Sequence, residues 1–66
     1  MSYHLPQDQK QNILQNLLFG LRSTVTQREF DVIILTAQGK TDEAQAAQSD
    51  IDNAKAAIDA LVALDA

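Results

Sequence analysis

The sequence predicts an all-α fold of three helices, at about residues 6–22, 27–38 and 42–64, in one small domain that covers residues 1–66. Three observations predict it. Apolar residues recur at helical spacing between residues 13 and 21, a capping motif precedes residue 30, and a glycine separates two later helical segments. The second and third helices, joined through that glycine, are expected to form a helix-turn-helix hairpin.

The first helix is expected to begin at Pro6, because a proline suits the first helical turn, where its missing N–H would have no partner anyway. Phe19 points away from the apolar face of this helix and is therefore a candidate for contact with a partner. Residues 23–25 are expected to form a short connector. Five apolar residues define the buried face: Ile13, Leu14, Leu17, Leu18 and Leu21.

The second helix is predicted from a capping box, in which Thr26 and Glu29 exchange side-chain and backbone hydrogen bonds at a helix start. Apolar residues then lie on most sides of the segment, so this helix is expected to be the buried centre of the fold. The run of residues 32–35 also has high β-propensity. The capping box before it, and the lack of another segment to pair with it, favour a helix.

Gly39 fits the left-handed position that follows a helix, and Thr41 is expected to cap the third helix. Asp42 and Glu43 fall in its first turn, where the helix dipole favours acids. A break near residues 48–52 remains an alternative to one continuous helix. Six residues of this helix follow the alternating spacing of a coiled-coil seam: Ala44, Ala47, Ile51, Ala54, Ile58 and Leu61.

The apolar core of a single chain is expected to be thin, because ten of the thirty apolar residues are alanine and no cysteine can supply a disulfide. The third helix is also predicted to be longer than the second, so its C-terminal half needs either the first helix or a second copy to cover it. A homodimer is therefore expected. Its interface is predicted at five residues: Ile51, Ile58, Leu61, Val62 and Leu64.

The net charge is −4, and residues 41–66 carry six acidic side chains against Lys55 alone. This imbalance argues against a nucleic-acid partner and favours a basic protein surface. The lack of a membrane-spanning stretch or signal-peptide pattern predicts a cytoplasmic protein. The residues predicted to bind the partner are Asp42, Glu43, Asp50, Asp52, Asp59 and Phe19.

No residue pattern points to catalysis, a cofactor or a metal. His4 is the only histidine and has no recognisable nucleophile to serve. Residues 39–41 read Gly-Lys-Thr, but the earlier glycine of a phosphate-binding loop is missing. Asp50 and Asp52 are two residues apart, so a helix would point them in different directions. The sequence therefore predicts a protein that is not an enzyme.

Residues 25–46 resemble the opening of the LuxR-type helix-turn-helix domain, whose pattern is a capped helix, a glycine stop and a second capped helix. The resemblance covers 22 of the 66 residues. The departures lie in the second helix, where Ala44 and Gln45 replace the family's acidic-apolar pair, and in residues 52–59, which carry one cation and two acids. Eight positions match the pattern: Thr26, Arg28, Glu29, Val32, Leu35, Ala37, Gly39 and Ala46.

The resemblance implies a related scaffold that has lost DNA binding, because acids stand where that family's recognition helix is polar or basic. In size and character the chain is similar to small phage-encoded anti-activators of quorum-sensing regulators, which implies the cytoplasm of a host cell. The expected function is inhibition of a LuxR-type activator through its DNA-binding domain. One alternative is a phage structural or assembly coiled coil. The other is a DNA-binding regulator that uses four cations: Arg22, Arg28, Lys40 and Lys55.

Overall fold

The computed structural model describes the backbone of residues 6–65 and the side chains of residues 6–64. Within that range the chain forms two α-helices, α1 at Gln7–Ala37 and α2 at Thr41–Asp65, joined by residues 38–40. The prediction of an all-α fold is confirmed, and a helical hairpin is present. The prediction of three helices is wrong, since the helices expected at about residues 6–22 and 27–38 are parts of the single unbroken helix α1.

The expected connector and capping box are both absorbed into α1. The Thr24 hydroxyl donates to the carbonyl of Gly20 at 3.1 Å, and the Thr26 hydroxyl donates to the carbonyl of Arg22, also at 3.1 Å. Each bond reaches back four residues, which is what a threonine inside a helix does. Thr26 therefore does not cap a helix start. No glycine or proline lies in residues 21–38 to interrupt the backbone.

A single apolar seam explains why α1 continues through this region. Its positions alternate in steps of three and four residues from Leu14 to Leu35 without a skip. This spacing keeps one stripe of a long helix facing a neighbouring helix. The seam contains one polar residue, Arg28. Its other positions are buried or half-buried: Leu14, Leu18, Leu21, Val25, Val32 and Leu35.

The two helices pack antiparallel, with a register centred on the turn. The Arg28 guanidinium lies 3.6 Å from the Asp50 carboxylate, and each of these residues is eleven positions from Gly39. Leu17 and Leu61 line one groove, and each is twenty-two positions from Gly39. The C-terminal half of α2 is therefore covered by the N-terminal half of α1. The mismatch in helix lengths that the sequence suggested does not exist in the hairpin.

The turn has the geometry of a Schellman motif. Gly39 has φ of 76°, as the sequence predicted for the residue after the helix. The Gly39 N–H donates to the Thr36 carbonyl at 3.0 Å, and the Lys40 N–H donates to the Leu35 carbonyl at 2.9 Å. These bonds satisfy carbonyls that the end of α1 would otherwise leave without partners.

The third predicted helix corresponds to α2, which is continuous across residues 48–52. It begins at Thr41, and the carbonyl of Lys40 accepts the first helical hydrogen bond from Ala44 at 2.9 Å. Lys40 rather than Thr41 thus occupies the capping position. The alanine-rich seam of α2 is confirmed as the side that packs on α1. The buried core of the hairpin is Leu14, Leu18, Ala44, Ala47, Ile51 and Ala54.

The segment expected to be the buried centre is exposed in the single chain. Phe30, Ile33 and Ile34 are 61%, 66% and 52% exposed. They lie on the side of α1 that faces away from α2, because the seam uses Val32 and Leu35 instead. The hairpin measures 55 × 19 × 14 Å between Cα extremes, so it is one layer of two helices with no second layer to cover this side.

Thr24→Pro is expected to lower the free energy of unfolding by about 3 kcal/mol or more, because a proline inside a helix removes a backbone hydrogen bond and clashes with the preceding turn. Urea denaturation followed by circular dichroism measures this change. Thr24→Ala is the control and should change stability by only a few tenths of a kcal/mol. If Thr24→Pro were equally mild, residues 23–25 would be a connector after all.

Substituting each of the two glycines by alanine should change the stability in opposite directions. Gly39→Ala places a side chain at φ of 76° and is expected to cost about 1 kcal/mol of stability. In Gly20→Ala the added methyl meets no atom within 4 Å, and the helix gains up to about 1 kcal/mol. Thermal and urea unfolding of both variants measures the sign of each change in the free energy of unfolding. The same sign for both would contradict the described turn.

Candidate interaction surfaces

The five acidic residues predicted to bind a partner are all exposed on α2. Helical spacing divides them by their position relative to the seam. Glu43 and Asp50 lie along one flank of the seam, seven residues apart. Asp52 and Asp59, also seven apart, lie on the other side of the helix and farther from the seam. Asp42 lies opposite the seam. We call these five residues the α2 acidic surface; it wraps around the outer side of the helix and is not confined to one face.

Three of these carboxylates lie near a cation or a hydrogen-bond donor within the hairpin. Glu43 lies 3.9 Å from the Lys40 ammonium. Asp50 lies 3.6 Å from Arg28, and Asp52 accepts a hydrogen bond from the Gln48 amide at 3.2 Å. Ion pairs between exposed side chains contribute little free energy. Exchanging such a pair for a pair with a partner protein therefore costs little.

Two of the four cations of the DNA-binding alternative, Arg28 and Lys40, lie beside acidic side chains of the hairpin. Arg28 donates to the Asp31 carboxylate at 2.9 Å and also lies near Asp50, so two acids flank it. Lys40 lies beside Glu43. A phosphate approaching either cation would meet a carboxylate, which opposes binding to nucleic acid.

Phe19 is 72% exposed and belongs to a second line of residues on α1. The line follows the same alternation of four and three residues as the seam, but on the opposite side of the helix. No charged residue interrupts it. We call this line the outer stripe; its members are Phe19, Ser23, Thr26, Phe30, Ile33 and Ala37.

The five residues predicted to form a dimer interface are divided by the fold. Ile51 is only 2% exposed and is already covered within its own chain. Ile58 and Leu61 belong to the seam of α2 and are half-buried there. Val62 and Leu64 remain exposed. Of the five, these last two have the largest exposed fractions left for contact with another protein, 47% for Val62 and 73% for Leu64.

An apolar groove of about 180 Å³ lies at the open end of the hairpin, where the N-terminal part of α1 meets the C-terminal part of α2. It adjoins the exposed end of α2 that carries Val62. The residues that line it are Lys10, Ile13, Leu14, Leu17, Leu61 and Leu64.

Within residues 6–64 no three acidic side chains converge as metal ligands would. His4 lies outside the described residues. The Gly-Lys-Thr run forms the hairpin turn, with Gly39 ending α1 and Thr41 beginning α2. Neither described helix has a stretch long and apolar enough to cross a membrane.

Comparison of the chain with models of known protein families found no match, and comparisons with curated proteins and with solved structures found none either.

The outer stripe is the feature that sequence reasoning missed. Its signal is present in the sequence, because residues 19, 23, 26, 30, 33 and 37 keep coiled-coil spacing. The predicted break at residues 23–25 divided the line between two helices and hid its continuity. Phe19 then looked like an isolated exposed residue, although it begins a line that extends to Ala37.

Proposed function

We propose that this protein is a non-enzymatic inhibitor, an anti-activator, which binds the DNA-binding domain of a LuxR-type transcriptional activator and blocks its access to DNA. The observation that carries the proposal is the α2 acidic surface, which places five exposed carboxylates on one continuous helix with Lys55 as the only described cation of that helix. The resemblance of residues 25–46 to that family supplies the identity of the partner.

Electrostatic complementarity supports this choice of partner. A DNA-binding domain presents cations where phosphates will lie, and phosphate contacts supply much of its affinity for DNA. Carboxylates on a helix compete for the same cations. With 25 residues, α2 is about 37 Å long, which is comparable to one turn of B-DNA at about 34 Å. The helix is therefore long enough to cover the surface that would otherwise meet the duplex.

Apolar contacts must supply most of the affinity, because charges at the rim of an interface mainly set the association rate and specificity. Val62 and Leu64 lie exposed on the same helix as the carboxylates and are 47% and 73% accessible. With the adjoining groove they offer the partner an apolar contact at one end of the α2 acidic surface. Phe19, which the sequence also predicted to bind the partner, lies on the other helix, within the outer stripe. It is therefore not part of this apolar contact on α2.

Neutralising three carboxylates in Asp50→Asn, Asp52→Asn and Asp59→Asn together is expected to slow association with the DNA-binding domain about tenfold at low salt. The difference should shrink at high salt because mobile ions screen exposed charges. Surface plasmon resonance with an immobilised LuxR-type DNA-binding domain measures both rates. Asp8→Asn, which removes one charge from α1, is compared with Asp59→Asn alone and should change association less. An unchanged rate for the triple variant at low salt would contradict the electrostatic mechanism.

A gel-shift competition tests whether binding blocks DNA. Adding the protein to a complex of activator and operator DNA is expected to release free DNA, because both ligands use the same cations. A slower-migrating complex of all three components would show that the protein binds elsewhere on the activator and would contradict the proposed mechanism.

A structural or assembly role is the second candidate. The observation that favours it is the 55 Å length of the hairpin, whose long exposed outer stripe can take part in repeated helical packing. Light scattering distinguishes the two roles in the absence of any activator. Large symmetric oligomers at micromolar concentration would favour assembly, whereas a discrete small species would favour the inhibitor.

A further inference from the structure

The outer stripe leaves a large apolar surface uncovered in the single chain. Its residues Phe19, Phe30 and Ile33 are each more than 60% exposed, and Ile34 beside them is 52% exposed. Large apolar residues at coiled-coil spacing on an uncharged side of a helix are typical of a buried contact. The side of α1 facing away from α2 therefore has the character of a second packing face.

The accessible surface also exceeds that of a compact protein of this size. The chain exposes 5163 Å², whereas a compact monomer of 7.2 kDa exposes about 4,100 Å². The radius of gyration is 15.8 Å, against about 11 Å for a globular domain of this length. The excess is about 1,000 Å² per chain. Burying that excess in both chains would correspond to about 2,000 Å², the lower end of the range of obligate homodimer interfaces.

We propose that two copies of this chain form a symmetric dimer in which their outer stripes pack antiparallel, with the two-fold axis next to Thr26. In this arrangement α1 is buried on both sides and becomes the central layer, as the apolar pattern of residues 27–38 requires. Each α2 lies on the outside, so the α2 acidic surface stays exposed. The proposal concerns a different surface from the proposed inhibitory one and can hold without it.

The spacing of the outer stripe is close to symmetric about Thr26, which is what a contact with an identical copy requires. Phe19 lies seven residues before Thr26 and Ile33 lies seven after it, so Phe19 of one copy is level with Ile33 of the other. Ser23 is likewise nearly level with Phe30. Each Phe30 is thus placed beside the small Ser23 of the other copy, which leaves room for the aromatic ring next to the axis.

Charge complementarity favours the antiparallel direction. Arg22 and Glu29 lie seven residues apart along the same flank of the outer stripe, on opposite sides of the two-fold axis. In an antiparallel pair Arg22 of one copy is therefore nearly level with Glu29 of the other, and the symmetry repeats this pair. In a parallel pair the two copies of this flank would lie on opposite sides of the interface, so Arg22 of one copy would not meet Glu29 of the other. Opposite charges beside a helical seam set the direction of pairing.

Cysteine cross-linking tests the position of the axis, and the absence of native cysteine makes each introduced thiol unique. In Thr26→Cys the two thiols face each other across the axis, so mild oxidation is expected to convert most of the protein to a covalent dimer of twice the 7.2 kDa chain mass. Ser49→Cys is the matched control, because Ser49 is exposed on the outer side of α2. Cross-linking of Ser49→Cys but not Thr26→Cys would overturn the proposal.

Sedimentation equilibrium tests the apolar contact. Ile33→Asp puts a charge into the stripe and is expected to weaken dimerisation about 100-fold. Leu64→Asp adds the same charge at an exposed apolar position outside the stripe and should leave the dimer intact. A monomeric wild-type chain at micromolar concentration would overturn the proposal. A dimer that Leu64→Asp dissociates and Ile33→Asp does not would also overturn it.

A charge exchange tests the antiparallel direction and does not depend on the folding of the Ile33 variant. Arg22→Glu alone and Glu29→Arg alone each place like charges together, and each should weaken the dimer several-fold at low salt. Combining the two substitutions in one chain restores opposite charges across the axis and should recover wild-type dimerisation. If the double variant is weaker than both single variants, the antiparallel arrangement is wrong.

Discussion

The unbroken seam of α1 is the constraint on which the rest of the structure depends. From Leu14 to Leu35 its positions alternate in steps of three and four, and the alanine-rich seam of α2 has the same period. Two helices with matching periods keep the same faces together over their full shared length. A break in α1 would rotate one half of the seam away from α2. The hairpin can therefore pack along its full length only if α1 is continuous.

The composition of the two seams decides what each helix contributes. Alanine predominates on α2, so the backbones of the two helices can approach closely and little apolar volume is buried per turn. The hairpin therefore buries few large side chains, and Ile51 is its most enclosed one. Large apolar residues are instead found on the far side of α1. The thin core and the large exposed side chains of the outer stripe have the same cause: alanine predominates between the helices, and large apolar residues lie on the far side of α1.

The two surfaces of the hairpin have opposite physical character, so they suit different kinds of contact. The outer stripe of α1 is uncharged and its large residues are apolar, so the free energy of the proposed dimer contact would come from removing that surface from water. The α2 acidic surface is exposed and carries weak ion pairs, so in the proposed complex it would act through long-range attraction and the association rate. A dimer through the first surface leaves two copies of the second facing solvent, where a basic partner can reach either one.

The sequence by itself determined the helical class, the turn at Gly39, the seam of α2 and the concentration of acids after residue 40, because each follows from local spacing or from a residue type with one preferred conformation. It did not decide whether Thr26 starts a helix, because the same residues fit a capping box and the interior of a helix, and only the backbone conformation distinguishes the two. Only the tertiary structure decided this, because packing along α2 stabilises a continuous helix more than a local cap stabilises a break. The same packing placed Ile51 inside and Phe30 outside, which apolar character alone could not distinguish.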